Sequence, residues 1–202
     1  MIITRLEEID KSKVKVYIDD EYAFLLYQKD LRRFCIDEGN EITVTLYHDL
    51  MEDVIFRRAK QKALALLKFM DRSEAELRKK LEDAFYPSQI IERTIAYVYE
   101  YGYINDERYT SIYIRNRKHT KSKRIIKSEL LTKGINKEII DNIMMEEYQS
   151  ETEDPEETAI KKAIYKKKKA PEELEYEEKQ KLIASLYRKG FDIEKIRRVL
   201  SV

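Results

Sequence analysis

Polar and apolar residues along this chain change their spacing once, near residue 45. Before that point they alternate. Ile2-Ile-Thr-Arg-Leu-Glu-Glu-Ile9, Lys13-Val-Lys-Val-Tyr-Ile18 and Tyr22-Ala-Phe-Leu-Leu26 follow the two-residue period of half-buried strands. Asp10-Lys-Ser12 and Asp19-Asp20 separate them as turns, so the pattern predicts a three-stranded meander. Gln28 to Ile36 reads as a short helix with Leu31, Phe34 and Cys35 inward, and Ile42-Thr-Val-Thr45 as one more extended piece. A long helix is expected to start near Tyr47 or His48. So small a sheet needs an apolar surface to cover it, and that helix is the nearest.

From there on the period is helical, and it repeats. Leu130-Leu-Thr-Lys-Gly134-Ile-Asn-Lys-Glu-Ile-Ile140 aligns with Leu186-Tyr-Arg-Lys-Gly190-Phe-Asp-Ile-Glu-Lys-Ile196. Ile126, Leu130, Ile140 and Ile143 fall on Leu182, Leu186, Ile196 and Val199. Each glycine can take the left-handed backbone that ends a helix, and Asn136 and Asp192 stand where a side chain caps the next one. An earlier copy begins at Ser73-Glu-Ala-Glu-Leu77-Arg-Lys-Lys-Leu81, with Ser73 and Glu76 in capping-box spacing. There Phe85 replaces the glycine, so that helix end should be built differently, closed by Pro87. In the same way one helix should end at Gly102, with Asn105 or Asp106 capping the next, which carries Tyr109, Ile112 and Tyr113.

A period near fifty residues predicts a tandem array of three-helix units, each burying its stripe partly on its neighbour. The expected fold is mainly α: tandem three-helix repeats in an elongated array, with a small β-containing N-terminal segment. The expected boundaries are 1–55 for that segment and 56–104, 105–148 and 149–202 for the three repeats. Gln149 to Glu157 reads as a flexible acidic connector. Lys166 to Lys169 reads as a solvated helix terminus, followed by a break at Ala170-Pro171 and an acidic stretch from Glu172 to Glu178. Tyr97, Tyr99, Tyr101 and Tyr103 cannot share one helix face, so some must be exposed.

Charge adds local information only. Asp, Glu, Lys and Arg make up 39% of the chain, but the formal net charge is +1, so bulk charge names no partner. Residues 1–56 are acidic, with thirteen Asp/Glu against seven Lys/Arg, and are expected to pack as a cap on the array, or to present an acidic face that contacts a basic partner or turns DNA away. Between Glu107 and Glu129 there is no acidic residue, while Arg108, Arg115, Arg117, Lys118, Lys121, Lys123, Arg124 and Lys127 all fall inside. These cations are unpaired locally and straddle a helix junction at Lys118 to Ser122. Such a set can meet phosphates or an acidic protein surface. The contact residues expected on this ground are Arg115, Arg117, Lys121, Lys123, Arg124 and Lys127, with Tyr109 and Tyr113 as aromatic neighbours.

Catalytic chemistry finds no support. His48 and His119 form no ligand pair, and no glycine-rich phosphate loop occurs among four isolated glycines. The single cysteine, Cys35, rules out an intramolecular disulfide and fits a reducing cytosol, as a buried, inert thiol. No stretch reads as a signal peptide or membrane span. A cytoplasmic, monomeric, non-enzymatic protein without cofactor or metal is expected.

Arg72-Ser73-Glu-Ala-Glu-Leu77-Arg-Lys-Lys-Leu81, Tyr101-Gly-Tyr-Ile-Asn-Asp106 and Glu129-Leu-Leu-Thr-Lys-Gly134-Ile resemble, in order and spacing, the signatures of the bacterial regulatory RecX family. The resemblance runs from about Phe56 to Leu200. It implies a modulator of the RecA recombinase that lies in the groove of the RecA–single-stranded-DNA filament. It implies inhibition of filament assembly, ATPase and strand exchange, in recombination, DNA repair and the SOS response. Binding to single- or double-stranded DNA alone would be weak. Two other readings are open from the residues: an autonomous nucleic-acid binder using the basic run, and a scaffold joining other proteins.

Overall fold

The computed structural model describes residues 1–166 and 174–201. Most of the expected lysine terminus at 166–169, the break at 170–171 and the first acids of 172–178 therefore lie outside the described residues. The chain divides into two compact units, Met1–Ile104 and Asn105–Val202.

In the first unit, β1 (Ile3–Asp10), β2 (Lys13–Ile18) and β3 (Glu21–Tyr27) form an antiparallel sheet in sequence order. Asp19 and Asp20 both take positive φ, 49° and 69°, as a two-residue type I′ hairpin requires. The turn pairs Ile18 with Glu21 and Tyr17 with Tyr22, and a bulge-like shift between Val16 and Tyr17 then puts Val16 opposite Phe24 and Val14 opposite Leu26, so both strands send apolar side chains to one face. This face packs on Leu50, Met51, Val54 and Ile55 of the long helix, and Ala59 and Ile90 belong to the same core. The sheet thus shares its core with the first helical repeat.

The helix after β3, α1 (Gln28–Phe34), buries Leu31, but Cys35 lies beyond it at φ 51° and is exposed. The expected buried thiol is corrected: a residue that ends the helix in left-handed conformation projects away from the inward face. The long helix starts earlier than expected, at Val44, because the Thr43 hydroxyl accepts from the Leu46 amide at 3.2 Å. Of the expected extended piece near Ile42, only a bridge between Ile2 and Glu41 exists. The helix runs as α2 (Val44–Asp49), a π-helical segment (Leu50–Phe56) and α3 (Arg57–Phe69). Buried Asp30 of α1 holds Arg58 on this helix with two bonds, 2.7 and 3.1 Å.

The first repeat comprises α3, α4 (Glu74–Glu82) and α5 (Ser88–Glu100). In the second unit α6 (Asp106–Arg117), α7 (Lys123–Thr132) and α8 (Lys137–Gln149) form the second repeat. The third consists of α9 (Pro155–Tyr165), α10 (Tyr176–Arg188) and α11 (Ile193–Leu200). Ile126, Leu130 and Ile140 are fully buried in the second, and Leu182, Leu186 and Ile196 occupy the aligned buried places in the third. The expected caps form at Ser73, Asn105, Asn136 and Asp192.

Two helix ends differ from expectation. Phe85 takes φ 62° with the Tyr86 amide donating to the Leu81 carbonyl, the same closure that Gly134 makes with Ile135 and Leu130. The helix end is therefore of the glycine type despite its side chain; the Phe85 carbonyl accepts from the Tyr22 hydroxyl at 2.5 Å, and Lys15 lies over its ring. Secondly, Pro155 to Glu157 form the first turn of α9, capped by Asp154, and shorten the expected acidic connector. Proline at a first helical position needs no amide proton there.

Candidate partner-binding face

The basic run lies on α6, the turn after it, and α7. On α6 the buried side chains are Thr110, Tyr113 and Ile114, while Ile112, expected on the inner stripe, is exposed. The stripe shifts because Lys118, one turn beyond Ile114, is drawn inward and is only 4% exposed. Its ammonium donates to the Glu147 carbonyl oxygen at 2.7 Å and lies 2.8 Å from a Glu151 carboxylate oxygen. A second carboxylate, that of Glu147, stands 3.4 Å away. A buried ammonium requires such partners, since losing water costs several kcal/mol.

Glu147 gathers more than Lys118. Its Oε1 accepts from Arg115 Nε at 2.7 Å and from the Ser111 hydroxyl at 2.8 Å. Burial pushes its pKa upward, but the bonds from Arg115, Ser111 and Lys118 outweigh that and hold it below the ordinary carboxylate value. On the next turn of the surface Glu129 accepts from the Tyr113 hydroxyl at 2.8 Å and pairs with Lys121. Its pKa is likewise lowered against burial by those two donors, and Tyr113 is raised by burial and by its bond to Glu129. Lys127 pairs with Asp141 of α8.

The six cations expected as contact residues thus divide into two groups. Arg115, Lys121 and Lys127 are neutralised by acids that folding brings from α7 and α8. Arg117, Lys123 and Arg124 have no carboxylate within 4 Å among the described residues. Arg117 lies over the Tyr113 ring, 3.8 Å from its centroid, and Lys123 lies over Tyr148 at 4.2 Å. Tyr109 and Tyr113 stack at 6.1 Å, so both expected aromatics belong to this face. Arg124 borders Gly190: a Cβ added there would stand 2.8 Å from Arg124 Nε.

Contacts from the third repeat lock the turn in place. The Ser122 hydroxyl donates to the Lys189 carbonyl at 2.8 Å. The Lys123 amide donates to buried Glu156, whose other oxygen accepts from Lys195 at 3.1 Å. The sequence reading missed the counter-charges Glu129, Asp141, Glu147 and Glu151. One of them left a trace: Glu147 falls on the apolar face of α8, seven residues after Ile140 and three after Met144, where a carboxylate signals an inward pair. Among the described residues no group of three or more His, Cys, Asp or Glu could hold a metal ion, and no helix is long and apolar enough to cross a membrane.

Tandem three-helix units, with a basic face built at one helix–turn–helix junction, define a helical-repeat protein. Sequence profiles of the RecX first, second and third three-helix domains match residues 59–97, 105–144 and 154–200. The regulatory protein RecX of Caldanaerobacter subterraneus subsp. tengcongensis is 33% identical over the full length of both chains. That of Clostridioides difficile is 32% identical over 99% of this chain and 94% of its own. A crystal structure of a regulatory protein RecX superposes with a TM-score of 0.63 at 25% identity, covering 99% of this chain and 98% of the other. RecX from Lactobacillus salivarius shares the fold, with a TM-score of 0.58 over 72% of this chain and 94% of its own. The chain belongs to the RecX family of regulatory proteins.

Proposed function

We propose that this protein restrains the RecA–single-stranded-DNA filament, binding along it and inhibiting its assembly, ATP hydrolysis and strand exchange. Membership of the RecX family of regulatory proteins supports RecA as the partner. The observation that carries the contact surface is the set of cations, Arg117, Lys123 and Arg124, left without carboxylates at a turn fixed by Ser122 and Glu156. A cation held in place but not neutralised is available to a phosphate or to a carboxylate of a partner. The paired cations Arg115, Lys121 and Lys127 serve mainly to hold α6, α7 and α8 together. On this reading the candidate contact set divides into binding and positioning residues, with Tyr113 beneath Arg117 and Tyr109 stacked on Tyr113.

Co-sedimentation with RecA filaments formed on a long oligonucleotide tests this directly. The wild-type chain is expected in the pellet. Charge reversal of Arg117 and Arg124 to glutamate should move most of it to the supernatant while the helical signal is unchanged. Retention of the folded double variant at wild-type levels would remove this face from the contact.

A further inference from the structure

The first unit contains a cavity that the partner-binding face does not use. It has a volume of about 180 Å³, is partly open to solvent, and lies between β3, the long helix and the turn after α4. Leu25 and Tyr27 alternate with the core residues Phe24 and Leu26, so they point to the other face of the sheet. Lys15, paired with Leu25 across the sheet, lies over the Phe85 ring at 4.8 Å, so the turn after α4 covers that face. The apolar and aromatic walls are Leu25, Tyr27, Ile55, Ala84, Phe85 and Tyr86. A cavity of about 150 Å³ with walls of this kind holds benzene, so one ring fits here.

The charged groups of the lining are Lys13, Arg58 and Lys62 against one carboxylate, Asp83. Asp83 stands 3.8 Å from Lys79, and Lys13 stands 3.6 Å from Asp10. Asp30 fixes the Arg58 guanidinium through two bonds, over the Tyr27 ring at 4.8 Å. Exposed Lys62 has no carboxylate within 4 Å among the described residues. Burial pushes the Tyr86 phenol above its ordinary value, with Tyr27 adding to the rise and Arg58 opposing it. The Tyr86 hydroxyl therefore stands among the polar groups of the cavity, and it has no hydrogen-bond partner among the described residues. We propose that this cavity binds a small aromatic carboxylate, its ring against Leu25, Ile55, Phe85 and Tyr86 and its carboxylate on the Lys62 ammonium and the Tyr86 hydroxyl. A neutral ring would leave these donors unmatched, a small anion would leave the apolar wall unfilled, and an amine would meet three cations. None of these residues belongs to the partner-binding face, so the site stands or falls independently of filament restraint.

The test is a titration of the isotope-labelled full chain with benzoate, followed by amide NMR shifts. Two further probes separate the parts of the ligand: benzyl alcohol has the ring without the charge, and acetate the charge without the ring. Benzoate is expected to shift the amides of Leu25, Ile55 and residues 84–86, with a dissociation constant of about 1 mM. Benzyl alcohol and acetate should each bind about tenfold more weakly, as should benzoate to K62Q and to Y86F, for the loss of one charge-assisted bond. Lys62 is exposed and Y86F keeps the ring, and thermal melting checks that both variants fold. Absence of shifts at about 20 mM benzoate, far above that constant, would overturn the site. Benzyl alcohol or acetate binding as tightly as benzoate would reduce it to an apolar cavity or a bare anion site. Wild-type affinity in both folded variants would remove the carboxylate from Lys62 and Tyr86. Tighter binding of a peptide ending in phenylalanine would assign the cavity to a chain terminus and overturn the small-molecule reading.

Discussion

Lys118 keeps almost no contact with water, so the acids around it decide whether the second repeat holds together. Glu147 provides a backbone carbonyl and a carboxylate, and it ties Arg115 and Ser111 to the same point. Replacing Glu147 by Ala removes the carboxylate shared by Arg115, Ser111 and Lys118 and leaves the buried ammonium on the backbone carbonyl and Glu151 alone. Glu151 compensates in part, so the loss should fall at the low end of such cases, about 3 kcal/mol. Urea unfolding reads this, and a loss below about 1 kcal/mol would show that Lys118 finds water instead.

The same residues set a pH dependence. Glu147 and Glu129 have folded pKa values below their ordinary 4.5, so the unfolded chain takes up protons first as pH falls. Their contribution is present above about pH 4.5 and is lost as pH drops through the depressed folded range. Unfolding free energy measured between pH 6 and 3 should therefore decline on acidification. The E129Q/E147Q double variant should begin lower and decline less steeply. Parallel curves would refute this assignment.

At the scale of elements, most of the fold was legible because helix ends are marked by local chemistry. Ser73 with Glu76, Asn105, Asn136 and Asp192 could be assigned from a few residues each, since a cap acts within one turn. Phe85 was misread because its left-handed backbone is sustained by contacts from Tyr22 and Lys15, more than sixty positions away. The start of α2 and the exposure of Cys35 were missed for similar reasons: a threonine cap outweighed strand propensity, and one residue beyond a helix lost its inward direction. The candidate site was half legible. A run without acids showed where the cations are, whereas their partners on α8 come from helix packing and have no fixed spacing. The glycine turns allow a direct comparison. Gly102 and Gly190 both take positive φ, but a Cβ meets nothing within 4 Å at Gly102 and meets Arg124 and Ser122 at Gly190. Each alanine substitution should cost about 1 kcal/mol of backbone strain. G190A should in addition displace Arg124 and weaken binding to RecA filaments, as G102A should not. Equal binding by the two variants would mean that Arg124 does not need its place beside that turn.

At the scale of the whole molecule, a net charge of +1 over 202 residues makes strong autonomous attraction to nucleic acid unexpected. The proposed binding therefore falls to local faces, and the acids of α7 and α8 leave only part of the basic run without a counter-charge. Many modest contacts, repeated from unit to unit, suit a partner that is itself a repeating filament better than a single isolated site. Restraint of that filament is read from single-stranded-DNA-dependent ATP hydrolysis by the cognate RecA, titrated with this protein near physiological salt. The expected result is suppression at well below one copy per RecA subunit. Unchanged hydrolysis at one copy per subunit, by a folded protein, would contradict it.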